Sequence, residues 1–341
     1  MAAKAITVAT AVNQALTAAF EQDDRAYLLG EDILDPYGGA FKVTKGMSSR
    51  WPERVLTTPI SEAAFTGIAA GMALRGARPV IEIMFGDFIT LAFDQIANHI
   101  TKFSMMYNGG VECPVVIRAP MGGGRGYGPT HSQSLEKHFI GIPGLNVAPI
   151  SRFHDLDSFY SHFILKESRP TLIIENKKMY GQEYIGTVTE HRIFNVDLKG
   201  GPIPSVLLTP VSTGKADVCL ISYSGGGDIT IDAAEELLME HEIHTSVLIL
   251  GSLSPLPLTV LEEAITDVSQ VVVVEEGSRV SGIGAEIAAA LMEQCFHKLR
   301  APIQRITSGD GIIPCAADKE ARFLPGPKSV IDQVLRMPGV S

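Results

Sequence analysis

Cysteine is scarce in this chain: Cys113, Cys219, Cys295 and Cys315 stand singly among 341 residues, with none of the paired spacings that hold a metal or staple a secreted domain. No metal site of the chain's own is expected, and the natural setting is a reducing cytoplasm. Long apolar runs are missing, so no membrane-spanning helix is expected. The opening MAAKAITVATAVNQAL has no continuous apolar stretch followed by a cleavage pattern, which argues against a signal peptide. Basic charge is in deficit: 28 Lys and Arg face 38 Asp and Glu, and a net charge of -10 argues against nucleic acid or an anionic membrane as partner. Repeats and low-complexity tracts are absent. What remains is a 45% hydrophobic, 19% charged composition, ordinary for a globular protein, and enough length for two full cores.

The pattern is α/β, with two doubly wound domains. From residue 1 to 176, short β-rich runs alternate with helical ones, the signature of a mostly parallel sheet covered by helices. Strands are expected at 27–30, 79–84, 114–119, 146–149 and 171–175, and helices at 10–22, 61–75, 90–106 and 155–166. Glycine-rich loops at Gly38-Gly39 and Met121–Gly128 are long enough to be functional. Residues 177–216 lose the rhythm and gather Gly200, Gly201, Pro202, Pro204 and Pro210, which reads as an interdomain linker. A second alternation fills 217–341, with strands at 218–223, 245–250, 271–275 and 303–306 and helices at 229–240, 258–265 and 283–294.

The most informative stretch is RVLTTPISEAAFTGIAAGMALRG, 54–76, because it places one carboxylate, Glu62, in the first turn of an otherwise apolar helix. An acid there complements the helix dipole, and Ser61 could be the cap. The helix body is apolar nearly all round, however, and so is expected to be buried on most sides. A carboxyl group anchored to it can be partly desolvated, the condition under which it is ready to share a proton with a bound cofactor.

His131, in RGYGPTHSQSLEKH, follows the strand at 114–119 and is expected at the carboxyl end of the sheet, where open α/β folds put ligands and where it could converge with Glu62 on one crevice. His138 shares that loop region and could support it. Phe85 and Phe88 follow another strand in IEIMFGDF; they either pack the core or offer a flat surface to an aromatic cofactor ring. Gly225–Asp228 and Gly282–Ala285 fall short of the dinucleotide fingerprint. The second of these is read as allowing close helix packing. Gly309-Asp310-Gly311 resembles the start of a diphosphate and magnesium motif, yet no Asn follows it.

The combination of TTPISEAAFTGIAAGMALRG, EIMFGDF with Asp94-Gln95, THSQS, PTLIIENKKMYG and VVVVEEG with SGIGAEIAAAL resembles the β subunit of thiamine-diphosphate-dependent 2-oxo acid dehydrogenases, of the pyruvate, branched-chain and acetoin types, over residues 5–335. That resemblance implies a transketolase-like pyrimidine-binding domain followed by a transketolase C-terminal-like domain. It casts Glu62 as the glutamate that hydrogen-bonds N1′ of the cofactor's aminopyrimidine, Phe88 with Phe85 as its aromatic platform, and His131 as the histidine at the substrate oxygen. It also implies an α subunit that holds the diphosphate and Mg²⁺, an α2β2 heterotetramer, a C-terminal domain serving assembly, and a lipoyl domain or acyl carrier protein as acceptor.

Departures from the family pattern bear on substrate. Such β subunits usually read Ala-Gln-His-Ser-Gln, whereas Gly128-Pro129-Thr130-His131 resembles the transketolase version; where transketolases carry an Asp for a sugar hydroxyl, this chain has Tyr127. Lys177 falls near a transketolase arginine that binds sugar phosphate, but dehydrogenase β subunits often carry a basic residue there too, so it decides little. Some relatives bind K⁺ at the turn before the strand at 171, and Glu167 and Arg169 stand at the matching positions, so no K⁺ is expected there. The favoured activity is decarboxylation of a 2-oxo acid with acyl transfer to a lipoyl carrier. The alternatives are transketolase-type transfer of a two-carbon unit from a ketose phosphate, and a non-catalytic assembly subunit, which retention of Glu62, Phe88 and His131 opposes.

Overall fold

Apolar residues recurring at helical spacing from Val8 to Phe20 bury one face of α1 (Val8–Gln22), which Thr7 caps by accepting from the Thr10 amide. The computed structural model describes residues 5–186, 191–211, 215–268 and 270–340, so the segments 187–190 and 212–214 of the expected linker lie outside the described residues. The chain forms two compact units: Met1–Met121 with His138–Gly186, and Gly122–Lys137 with Thr187–Ser341.

The first unit holds a parallel six-stranded sheet, ordered β2-β1-β3-β4-β6-β5, from β1 (Ala26–Gly30), β2 (Val55–Thr57), β3 (Arg78–Glu82), β4 (Val116–Met121), β5 (Asn146–Pro149) and β6 (Thr171–Asn176). Strands β4, β5 and β6 are buried along their whole length, as a sheet covered on both faces requires. Around it lie α1, α2 (Met47–Arg50), α3 (Glu62–Leu74), α4 (Phe103–Met106) and α5 (Leu156–Ser161).

One expected helix is broken for a visible reason, and a second keeps its expected span but changes its winding. The 90–106 stretch divides into a 3-10 turn (Gly86–Ala92), a π turn (Gln95–Ile100) and α4. The Thr101 hydroxyl donates to the carbonyls of Ile96 and Ala97 and so competes with the helical ladder. The 155–166 stretch passes from α5 into a π turn (His162–Lys166), and the Arg78 guanidinium takes the carbonyls of Ile164 and Glu167 where it ends.

An ion network lies inside this sheet. Arg118, fully buried, forks onto Glu175 through Nε and Nη2, both at 2.8 Å, and pairs with Glu82 through Nη1. Tyr160 and Tyr180 donate to the same Glu175 carboxylate. Burial pushes Glu82 up against the opposing pull of Arg118. The Gly38-Gly39 loop closes over this network: Gly39 has φ +79°, and a Cβ there would stand 2.5 Å from Glu82 Oε1.

The second unit is built on a mixed sheet, β12-β11-β9-β10-β8-β7: β7 (Phe194–Lys199), β8 (Ser205–Pro210), β9 (Val218–Tyr223), β10 (Thr245–Leu250), β11 (Val271–Val274) and β12 (Gln304–Ile306). The central strands β9 to β11 are parallel and wholly buried. Strands β7 and β8 form an antiparallel hairpin in the stretch expected as linker; β7 is half exposed at the sheet edge, so its apolar signal is weak. Its helices are α6 (Gly226–His241), α7 (Leu258–Ala264), α8 (Ile283–Cys295), α9 (Ala317–Phe323) and α10 (Pro327–Val334). No helix among the described residues is long and apolar enough to cross a membrane.

Candidate functional site

Glu62 is the first residue of α3, four residues after β2 gives way to Thr58, and its side chain is 3% exposed. Ser61 makes no side-chain capping bond, and among the described residues the Glu62 carboxylate has no hydrogen-bond partner. The helix itself departs from expectation: Phe65, Thr66, Ala69, Ala70 and Ala73 are buried, but the opposite face is open. Ile68 is 56% exposed, and neither Gly67 nor Gly71 has an atom within 4 Å of where a Cβ would stand.

A second carboxylate, Glu31, went unnoticed in the sequence. It follows β1, whose Gly30 is in register with Thr57 of β2, and it is 4% exposed with Oε1 unpartnered among the described residues. Burial, reinforced by the charge of Glu62, pushes its carboxyl up to about 7. The signal available was position alone, an acid directly after a buried strand at the carboxyl edge of a parallel sheet. The shift has a measurable consequence. A carboxyl raised from 4.5 to about 7 on folding contributes stability below pH 4.5 and loses it as pH rises through 7. Thermal midpoints of the wild type are therefore expected to fall between those values more steeply than those of Glu31→Gln; parallel profiles would refute the assignment.

Phe85 and Phe88 are half-buried where β3 runs into the 86–92 turn, and they meet edge to face with centroids 6.1 Å apart. Phe41 packs on Phe85 at 5.4 Å and on Tyr180 at 5.2 Å, so the aromatic cluster is larger than the sequence showed. A Cβ on Gly86 would fall 2.3 Å from Met121 Cγ, and the bare backbone is what lets this turn lie against β4. Helix α3 packs on the same turn, which brings the Glu62 helix and the phenylalanine turn together. Lys177, the residue weighed for a sugar phosphate, is fully buried: Nζ donates to the Pro120 carbonyl at 3.2 Å and lies 5.6 Å from the Phe85 ring centre.

His131 belongs to the second unit, whereas Glu62, Phe85 and Phe88 belong to the first. Its ring Nδ1 is 2.9 Å from Thr130 Oγ1 and its amide donates to the Gly128 carbonyl. His138 is exposed, at the end of a short 3-10 turn (Glu136–His138). The glycine clusters of the second unit have internal explanations. Gly227 admits Ile249 of β10, whose Cδ1 would be 2.9 Å from a Cβ, and Gly282 and Gly284 make room for the Glu275 carboxylate at the start of α8. Among the described residues no group of His, Cys, Asp and Glu has the arrangement of a metal site.

At the turn before β6 the Glu167 carboxylate accepts from the Ser168 and Arg169 amides and pairs with the Arg169 side chain at 3.2 Å. The nearby carbonyls of Ile164 and Glu167 both receive Arg78 Nη1 at 3.0 Å. A built-in cation thus serves the carbonyls that could otherwise ligate a monovalent ion.

Two units with these sheets and a carboxylate-and-phenylalanine edge define a transketolase-like two-domain protein. The family model described as transketolase, pyrimidine binding domain, matches residues 4–182, and that of the transketolase C-terminal domain matches residues 209–330. A solved chain titled a split gene transketolase, inactive β4 tetramer, superposes with a TM-score of 0.72 at 20% identity, covering 97% of each chain, which speaks to fold alone. The pyruvate dehydrogenase E1 component subunit beta-2, mitochondrial, of Oryza sativa is 33% identical, over 98% of this chain and 86% of its own length. The pyruvate dehydrogenase E1 component subunit beta of Rickettsia bellii is 32% identical over 97% and 98%, and the 3-methyl-2-oxobutanoate dehydrogenase subunit beta of Mycobacterium tuberculosis 33% identical over 98% and 93%. The chain belongs to the E1 β-subunit family of 2-oxo acid dehydrogenases, a thiamine-diphosphate-dependent family with a transketolase-like fold.

Proposed function

We propose that this chain is the β half of a heteromeric thiamine-diphosphate enzyme that decarboxylates a 2-oxo acid and passes the acyl unit to a lipoyl carrier. The observation that carries the reading is Glu62, a residue 3% exposed at the start of α3 whose side chain has no hydrogen-bond partner among the described residues. Such an acceptor beside an aromatic turn fits the protonated ring nitrogen and flat face of an aminopyrimidine. Thiamine diphosphate, when bound, supplies the electron sink for cleavage of a carbon-carbon bond next to a carbonyl. Glu62 then holds a proton at the pyrimidine N1′, Phe88 with Phe85 fixes the ring plane, and His131 gives or takes a proton at the substrate oxygen. An α subunit in an α2β2 heterotetramer is assigned the diphosphate and Mg²⁺, consistent with the lack of an Asn after Gly309-Asp310-Gly311. The apolar residues exposed in the first unit, Ile60, Ile68, Met105 and Met106, support a stable protein partner. The cysteines are free thiols, which suits a cytoplasmic setting.

Burial of Lys177 removes the one basic residue weighed for a ketose phosphate and favours the 2-oxo acid. With the chain co-purified with its α partner, CO₂ release and lipoyl acylation are expected from pyruvate or a branched 2-oxo acid and not from a ketose phosphate. Two-carbon transfer from the sugar alone would overturn this choice. We further propose that no K⁺ occupies the turn at 167–169, because Arg78 already serves its carbonyls. Exchanging K⁺ for choline is expected to leave the thermal midpoint and turnover unchanged, and a K⁺-dependent rise in either would contradict it.

A further inference from the structure

The glycine-rich loop MGGGRGYG is not an open anion cradle. Gly122, Gly124, Gly126 and Gly128 all have positive φ, between 70° and 90°. Residues alternating in that conformation can aim amides to one side as an anion-binding concavity. Here the second unit fills it with its own carboxylates. Glu320 on α9, 2% exposed, accepts from the Gly124 amide through Oε1 at 3.0 Å and from the Gly126 amide through Oε2 at 2.8 Å. Glu276 Oε1 accepts from the Gly123 amide at 2.5 Å.

The fit is close on every side. A Cβ on Gly123 would stand 2.8 Å from Leu324 Cδ1, and one on Gly128 2.9 Å from Cys315 Sγ. The loop is closed by the Gly122 amide on the Gln133 carbonyl at 3.1 Å, and its exit is tied where Tyr223 donates to Glu136 and Lys137 to Ser278 and the Val280 carbonyl. His131 lies inside this closed segment, its amide bonded to Gly128.

We propose that Glu320 is a positioning residue for His131: by occupying both amides it fixes the course of residues 122–133 and with it the direction of the imidazole. The C-terminal unit thereby acts in catalysis as well as assembly. The proposal rests on the assignment of His131 made above. A charge-assisted clamp on two amides is stronger than neutral hydrogen bonds.

The test is a double-mutant cycle in the enzyme assembled with its α partner. Glu320→Ala is expected to lower kcat by about 10- to 100-fold, the effect of a misplaced catalytic group, with thiamine diphosphate affinity unchanged. Combined with His131→Ala it should cause no further loss, because Glu320 acts only through His131. Amide hydrogen exchange in 122–133 should rise in Glu320→Ala. Glu320→Gln, which keeps one acceptor oxygen, should fall between wild type and Glu320→Ala on both measures, and it carries the same cycle should the alanine variant not assemble. A slow His131→Ala beside Glu320 variants of normal rate, or of fully additive loss, overturns the Glu320 proposal alone. A normal rate in His131→Ala overturns the assignment of His131 and the proposal with it.

Discussion

Glu62→Gln is expected to lower turnover of the assembled enzyme by at least about 100-fold, within the range for removing a group that holds a proton in the reaction. Folding and assembly should survive. The substitution keeps the shape of the side chain and breaks no hydrogen bond among the described residues, and it takes one charge away from a place where Glu31 and Glu62 repel each other. The ordinary cost of removing a buried partner is therefore absent, and the thermal midpoint should stay level or rise slightly. Turnover within about threefold of wild type, in an enzyme that still requires thiamine diphosphate, would remove Glu62 from the chemistry.

Arg118→Met is expected to have the opposite signature, a structural collapse with no bearing on the reaction itself. Arg118 is fully buried and is the cation between Glu175 and Glu82, so its loss leaves two buried carboxylates facing each other across β3, β4 and β6. Breaking a buried pair from one side costs about 3–5 kcal/mol. Tyr160 and Tyr180 can still donate to Glu175, but among the described residues Glu82 keeps no other cation beside it, and burial already pushes its carboxyl up. Urea unfolding of the first unit should shift by that amount, and part of the loss should be recovered in Arg118→Met with Glu82→Gln. A shift below about 1 kcal/mol would mean that the network is structurally idle.

Much of this was legible in the sequence because the physics is local. Apolar runs such as VVVV at β11 and TSVLIL at β10 are buried strands whatever surrounds them, and the apolar spacing of α1 marks one buried face. Glu62 stood out for the same reason, a charge where the pattern demands none. What escaped depends on partners far along the chain. The π turn at His162–Lys166, whose Ile164 carbonyl is taken by Arg78 some 86 residues away, carries no local signal within an otherwise expected helix. The half-exposed edge strand β7 carries little pattern and read as linker. Glu31 and Phe41 belong to ordinary-looking loop segments and acquire meaning only beside Glu62 and Phe85. The glycines at 122–128 announced a special backbone, but not that Glu320, nearly two hundred residues later, is what fills it.

The account stands on a proton held by Glu62 at the bound cofactor, and the most direct measurement is the rate of hydrogen–deuterium exchange at C2 of thiamine diphosphate in the assembled enzyme. The wild type should exchange at least about 100-fold faster than Glu62→Gln at equal cofactor occupancy. Equal rates in the two would contradict the account.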